Sequence, residues 1–148
     1  MEFHYICDSE RIVRTTFSPE HFDGVEFSNA AISLDDLSSR GVSVDREGIT
    51  PLSALDKRIE AQVAKNPDAR QSVVYSVLLV GAVRAIQGQE ASQALEVKAD
   101  PIKEENEGHA LILSAKPRGK AELRALRLRL IGMMKAGLHS KGTLQFKA

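Results

Sequence analysis

The first third of the chain alternates apolar and polar residues with the period of two that half-buried β-strands show. Ser-Pro, Asp-Gly and Ser-Ser-Arg-Gly turn signals interrupt the alternation. The pattern predicts an antiparallel meander with one inward face, made of strands at residues 3–7, 11–17, 25–32 and 41–46.

Two later segments instead repeat apolar residues at spacings of three and four, which predicts amphipathic helices over residues 51–65 and 119–136. Thr50 and Pro51 predict the start of the first helix, with a threonine side-chain cap and proline as the first helical residue. Asn66 before Pro67 predicts its end, because the residue before proline avoids helical geometry. Gly137 predicts the end of the second helix.

The remaining pattern predicts further strands. Residues 72–80 form the most apolar run and predict a central strand buried on both faces, followed by a helical turn at 81–87. Residues 95–99 and 109–115 predict a hairpin with a long polar connection, and 138–148 predict either a frayed tail or a last edge strand. The order of elements is too irregular for a doubly wound parallel sheet. We therefore expect an α+β fold, with a mixed or mainly antiparallel sheet packed by the two helices.

Composition supports one soluble globular domain over residues 1–148, with 43% hydrophobic and 27% charged residues. Cys7 is the only cysteine, which rules out an intrachain disulfide and favours a cytoplasmic location. We expect Cys7 to be buried as a small apolar residue of the first strand. The start of the sequence lacks a basic region followed by an apolar run, and no stretch approaches about 18 apolar residues, so we expect neither secretion nor membrane insertion.

The zero net charge conceals a strong asymmetry. Residues 116–148 hold nine Lys/Arg and one acid, Glu122, which gives this segment a charge of +8 and the preceding residues −8. On the predicted second helix, an apolar arc of about 100° lies beside a basic arc. The apolar arc contains Leu123, Leu126, Leu130, Met133 and Met134, and the basic arc Lys120, Arg124, Arg127 and Lys135. This basic arc predicts binding to phosphates, to an acidic protein groove or to an anionic membrane surface, unless it pairs with the acidic part of the same chain.

The sequence contains no nucleophile elbow, zinc-protease, Walker or paired Cys-x-x-Cys motif, so it predicts neither a metal nor a cofactor. An enzymatic role is uncertain and not favoured. The available acid–base candidates each have a structural alternative: His21 and Asp23 as part of a turn, Asp45 and Arg46 as solvated surface, and His109 as a hydrogen-bonded core residue.

The sequence also resembles a group of small bacterial proteins to which we attach no activity. The resemblance covers roughly residues 14–115 and follows an ordered series of short segments: Ser18-Pro19-Glu20-His21-Phe22-Asp23-Gly24, Ser28-Asn29-Ala30-Ala31, Gly41-Val42-Ser43-Val44-Asp45-Arg46, Asp100-Pro101, and Asn106 with His109-Ala110. It implies that a set of polar residues converges in space: His21, Asp23, Ser28, Asp45, Arg46, Asn106 and His109.

Three functions follow as hypotheses. The first is a non-catalytic protein-interaction module of the bacterial cytoplasm, such as an accessory, inhibitor or immunity-type factor. The second is RNA or DNA binding by the basic helix. The third is a hydrolase or transferase that acts on a nucleotide or nucleic acid, with His21 or His109 as general acid or base. The oligomeric state stays open, since an edge strand or the opposite charges of the two segments could join copies.

Overall fold

The computed structural model describes residues 5–148 as an α+β fold built on one antiparallel sheet, which confirms the predicted class. The strands are β1 (Arg11–Pro19), β2 (Val42–Arg46), β3 (Arg70–Leu79), β4 (Leu95–Ala99), β5 (His109–Ser114) and β6 (Leu138–His139), in the order β4-β5-β2-β1-β3-β6. The helices are α1 (Leu52–Lys65), α2 (Val80–Arg84) and α3 (Lys120–Ala136), with single helical turns at Asn29–Ala31, Asp36–Arg40 and Lys141–Thr143. Within the described part of the chain, no helix is long and apolar enough to cross a membrane.

Apolar clusters lie on both faces of the sheet. Ile12 and Val13 are adjacent in β1 and therefore point to opposite faces. Ile12 joins the larger cluster beneath α2 and α3, together with Leu130. Val13 joins a smaller cluster beneath α1, together with Leu55. The two predicted helices thus cover opposite faces of one sheet.

The predicted end of α1 is confirmed, but the predicted cap is wrong. The helix ends at Lys65, directly before Asn66 and Pro67. It begins at Leu52, because Pro51 is extended (φ −67°, ψ 136°) and its carbonyl accepts the N–H groups of the first turn. The buried Thr50 hydroxyl has no hydrogen-bond partner among the described residues. Backbone hydrogen bonds to Arg46 and Lys147 hold Thr50 instead.

Helix α3 follows the sequence prediction closely. Leu123, Leu126, Leu130 and Met134 are buried against the sheet. Gly137 ends the helix and bonds through its carbonyl oxygen to the Val77 N–H at 2.8 Å. A β-carbon at position 137 would overlap the carbonyl oxygen of Val77. Glycine is therefore required where α3 passes closest to β3.

The predicted strand at residues 25–32 is wrong. The segment forms a tight turn, in which the Asp23 carboxylate accepts hydrogen bonds from the N–H groups of Val25 and Glu26 at 2.7 and 2.6 Å. Phe22 and Phe27 bridge the turn, with ring centroids 4.7 Å apart. A single helical turn, Asn29–Ala31, follows. The apolar residues thus serve a local turn rather than the sheet.

Three further predictions need correction. Residues 3–4 lie outside the described residues, and Tyr5–Cys7 form no strand. Cys7 is exposed rather than buried. The run at 72–80 does form a strand, β3, but β3 lies next to the β6 edge and is not central. Sheet order depends on long-range pairing, which the local apolar pattern does not encode.

The hairpin predicted from residues 95–115 is confirmed as β4 paired with β5. The C-terminal residues, left between two alternatives, form the short edge strand β6 against Tyr75 and Ser76, followed by the turn Lys141–Thr143.

The sheet is split between its two central strands. In the described structure, β1 pairs with β2 only at Ile12–Arg46 and Val13–Asp45, although β1 continues to Pro19 along β3. The Arg14 guanidinium occupies the divergence and donates hydrogen bonds to the carbonyl oxygens of Ser43 (3.0 Å) and Ala31 (2.8 Å). We call this region the sheet split. A side chain replaces the missing strand-to-strand bonds there.

Candidate functional site

The solvent side of α3 carries cations without partners. Lys120, Arg124 and Arg127, three of the four residues of the predicted basic arc, form no hydrogen bond or ion pair within residues 5–148, and neither does Arg129. The fourth, Lys135, is already paired with the Glu26 carboxylate. Three of the four cations of the predicted basic arc therefore have no partner among the described residues, and the fourth is paired.

An exposed leucine lies among these cations. Leu128 is 68% exposed, although it belongs to a helix whose other leucines are buried. Arg124 lies one turn before it on the same side of the helix, and Arg129 is exposed on the other flank. We define the α3 surface as Lys120, Arg124, Arg127, Leu128 and Arg129. It combines an apolar centre with a cationic border.

Other cations of the basic segment are neutralised within the chain. The Arg118 side chain is only 1% exposed and contacts Glu90 (3.0 Å) and Glu122 (2.6 Å). The hydrogen bond from Arg118 is the main cause that lowers the pKa of Glu90 to about 2. Lys141 pairs with Asp56. Pairing with the acidic part of the chain thus accounts for these charges, and the α3 surface stands apart from them.

Asp45 is the centre of a buried polar cluster, and its expected place on a solvated surface is wrong. It is 1% exposed, and both of its oxygens accept hydrogen bonds from Arg58 of α1, at 2.9 and 2.5 Å. Asn106 donates to the same carboxylate at 2.8 Å and accepts from the Gly108 N–H at 2.9 Å. Burial lowers the pKa of Arg58, but the hydrogen bond and charge of Asp45 outweigh that effect and raise it.

Arg46 is also buried, at 2% exposure, so the prediction that it lies on the solvated surface is wrong. As neighbours in a strand, Asp45 and Arg46 point to opposite faces and do not pair with each other. The Arg46 Nε and Nη2 atoms instead contact the Glu10 carboxylate, each at 2.8 Å, and Nη2 reaches the Tyr5 carbonyl at 3.1 Å. Arg46 therefore fixes the segment that leads into β1.

Both ring nitrogens of His21 are engaged. Nδ1 accepts a hydrogen bond from the Phe17 N–H at 2.9 Å, and Nε2 lies 3.1 Å from the Glu20 carboxylate. Burial lowers the pKa of His21, and the charges of Arg14 and Arg70 act in the same direction against Glu20. The ring is therefore held neutral at pH 7, with its proton on Nε2.

His109 is buried, as expected for a hydrogen-bonded core residue. Its Nδ1 lies 3.0 Å from both the carbonyl and a carboxylate oxygen of Asp100. His109 is the residue paired with Asp45 across β2 and β5. Of the residues nominated by the resemblance, the structure brings Asp45, Asn106 and His109 together. Asp23 and Ser28 belong to the exposed turn after β1, and Arg46 faces away.

A cavity at the sheet split brings His21 together with three arginines that the sequence does not indicate as site residues. It has a volume of about 250 Å³, and its polar lining includes Arg14, Arg58, Arg70 and His21. We call these four residues and the cavity the arginine cleft. The three arginines come from β1, α1 and β3, so no sequence motif joins them. The one local signal is Arg14 itself, a charged residue at a strand position where Ile12 and Thr16 on either side are fully buried.

Three properties of Arg14 and Thr15 mark the floor of the cleft. The Arg14 Nε and the Thr15 hydroxyl are buried and have no hydrogen-bond partner among the described residues. Burial lowers the pKa of Arg14 to about 10, and the charge of Arg58 adds to this effect while Asp36 and Asp45 oppose it. At pH 7 the guanidinium still carries its charge.

The described residues include no group of three or more His, Cys, Asp or Glu side chains placed to hold a metal ion.

Comparison with protein-family models, with curated proteins and with solved structures gives no match to this chain. The resemblance to small bacterial proteins stays a prediction. Functional inference therefore depends on the geometry of these sites.

Proposed function

We propose that this protein is a non-catalytic interaction module of the bacterial cytoplasm, an accessory, inhibitor or immunity-type factor that binds an acidic protein through the α3 surface. The observation that carries the proposal is the 68% exposed Leu128 among cations that have no partner within residues 5–148. An apolar centre with a polar border is the usual anatomy of a protein–protein interface. The unpaired Cys7 agrees with a reducing compartment.

Charge supports an acidic partner. Lys120, Arg124 and Arg129 are exposed, so each can approach a carboxylate without first breaking a bond to the described part of this chain. Such border charges mainly raise the association rate, whereas a central apolar contact mainly slows dissociation. The two kinds of residue therefore make separable predictions.

A photo-crosslinking amino acid at position 128, expressed in the native host, would identify the partner. The matched control carries the same group at position 57, where Lys57 is exposed on α1 and has no ion pair in the described structure. Capture counts only when the purified partner is acidic and binds the purified protein in a defined complex. We then expect Leu128→Asp to weaken binding by about 30-fold or more, as truncation of a hot spot of about 2 kcal/mol would.

We expect Arg124→Glu to slow association, with an effect that shrinks as salt increases, and Lys57→Glu to change affinity less than about twofold. Three results would contradict the proposal: no protein crosslinked from position 128, a partner that binds Leu128→Asp as tightly as the parent, or association only between copies of this chain. Light scattering at two salt concentrations detects the last case.

RNA or DNA binding is the second candidate, since Lys120, Arg124 and Arg127 could also contact phosphates. The α3 helix contains no aromatic residue on which a base could stack, which is why we place this candidate second. Three phosphate contacts predict a log–log salt slope of roughly −2 to −3 for a single-stranded or duplex oligonucleotide. For this function Arg124→Glu should weaken binding, whereas the uncharged truncation Leu128→Ala should not.

A hydrolase or transferase receives less support from the geometry. A general base needs an available lone pair, and the Nδ1 lone pair of His21 is occupied by the Phe17 N–H. His109 lies in the cluster around Asp45, bonded through Nδ1 to Asp100, and does not line the arginine cleft that contains His21.

A further inference from the structure

The arginine cleft opens on the face of the sheet that α1 covers, and Arg14, which lies in phase with Ile12 on β1, reaches it through the sheet split. No residue of α3 is among the described residues that line the cleft, so it is separate from the α3 surface. The cleft forms because β1 and β2 separate beyond the Val13–Asp45 pair, where β1 continues toward Pro19 and β2 extends back toward Val42. Arg58, Ile59 and Gln62 of α1 line one wall, and Thr15 and Phe17 of β1 line another. The cleft is thus a consequence of the fold and not a chance surface depression.

Each arginine of the cleft is held in place by an acceptor from the protein. Carbonyl oxygens of Ser43 and Ala31 hold Arg14, and the Asp45 carboxylate holds Arg58. Arg70 is held by Glu20, at 3.1 Å, and by the carbonyl oxygen of Gln62. Fixed guanidinium groups lose little further conformational entropy when they bind a ligand.

These bonds leave donors unused. The Arg14 Nε, the Arg58 Nε and the Arg70 Nη2 have no acceptor among the described residues. The described residues that line the cavity include no carboxylate, and Asp45 and Glu20, which bond to Arg58 and Arg70, are not part of this lining. The three guanidinium charges also exceed these two carboxylate charges. The lining therefore selects for an anion.

The directions of the free donors and the other residues of the lining favour one class of anion, a phosphomonoester. A carboxylate offers two oxygens, whereas a phosphomonoester offers three terminal oxygens to donors from three directions. Phe17 and Ile59 provide an apolar side for the esterified group, and the unpartnered Thr15 hydroxyl can bond to a ligand hydroxyl. A volume of about 250 Å³ lies just below the usual range for drug-sized ligands, about 300–1,000 Å³. We propose that the arginine cleft binds a small phosphomonoester of about the size of a sugar phosphate.

Isothermal titration with ribose 5-phosphate, inorganic phosphate, ribose and succinate tests this site directly on the full chain. We expect ribose 5-phosphate to bind at one site per chain and more tightly than inorganic phosphate, with no binding of ribose. Arg14→Lys and Arg70→Lys keep the charge but lose the planar fork, so each should weaken ribose 5-phosphate binding by about tenfold or more. Arg40→Lys, at a side chain that is 68% exposed and does not line the cleft, is the matched control and should change affinity less than about twofold.

A measurement on the unmodified protein covers the case in which a variant does not fold. In a ¹⁵N spectrum of arginine side chains, ribose 5-phosphate should shift the Nε–H signal of Arg14 and leave that of Arg129 unchanged. The proposal is overturned if neither ribose 5-phosphate nor inorganic phosphate binds saturably up to about 10 mM, if succinate binds more tightly than ribose 5-phosphate, or if folded cleft variants bind like the parent. None of these results bears on Leu128, so failure here is distinguishable from failure of the proposed function.

Discussion

The substitution Asp45→Asn tests the buried cluster that positions Arg58. The carboxylate is 1% exposed and accepts three hydrogen bonds, two from Arg58 and one from Asn106. Asparagine can keep the bonds at Oδ1 but presents an NH₂ group to the Arg58 Nη2. One charge-assisted hydrogen bond is lost, at a cost of about 1.5–3 kcal/mol. Because the Arg58 side chain is 33% exposed and can turn toward water, the cost should stay below the roughly 3–5 kcal/mol of a fully buried broken pair.

We therefore expect Asp45→Asn to lower the free energy of unfolding by about 2–3 kcal/mol in urea at pH 7, without a change in m-value. The melting temperature should fall by about 4–12 °C, given roughly 2–4 °C per kcal/mol for a chain of this size. In an Arg58→Met background the same substitution should cost much less, since the pair is coupled. Glu60→Gln, at an exposed α1 position without an ion pair in the described structure, is the control. A cost below about 0.5 kcal/mol, or additive effects in the double variant, would refute this account.

Two further substitutions address the α3–β3 junction and the cleft histidine. Gly137→Ala should destabilise the protein by more than about 2 kcal/mol, because the new methyl group overlaps the Val77 carbonyl. Gly132→Ala, in the α3 interior with open space around it, should stabilise by about 0.5–1 kcal/mol in the same urea titration; equal effects would show that the close approach is wrong. Burial lowers the pKa of His21 in the folded state, so the stability it contributes is complete above its unfolded pKa of about 6.5 and is lost as pH falls toward the folded pKa. His21→Asn keeps an acceptor for the backbone but does not titrate, so it should flatten the decline in stability between about pH 7 and 5; a slope parallel to that of the parent protein would contradict the assignment.

Local signals made much of the fold predictable from the sequence. The α3 helix has its buried residues on one arc and a glycine at its end, both of which are encoded within the helix itself. The β4–β5 hairpin likewise joins neighbours in sequence. The failure at residues 25–32 is also local: the Asp23 side chain satisfies the backbone in a turn, and Phe27 packs on Phe22 instead of entering the sheet.

The candidate sites were less predictable, because they depend on contacts distant in sequence. The cations of α3 follow from the helical angle, but whether Lys135 is paired depends on Glu26, 109 residues away. The sequence predicts a surface position for Asp45 because its partners, Arg58 and Asn106, belong to separate elements. The arginine cleft requires knowledge of where two strands diverge, and no periodicity in either strand encodes that point.

The sheet split also determines which parts of the sheet should open locally to solvent. Its strands form two ladders, β4–β5–β2 and β1–β3–β6, which share only the backbone pairs next to Val13 and Asp45. Amide groups deep in the long β1–β3 ladder should exchange with solvent only when the whole protein opens, whereas those of β2 that face the divergence should exchange through small local openings. A ligand in the arginine cleft that contacts both ladders would slow the exchange of amides next to the split in both β1 and β2. Deuterium uptake would therefore detect ligand binding without an added label.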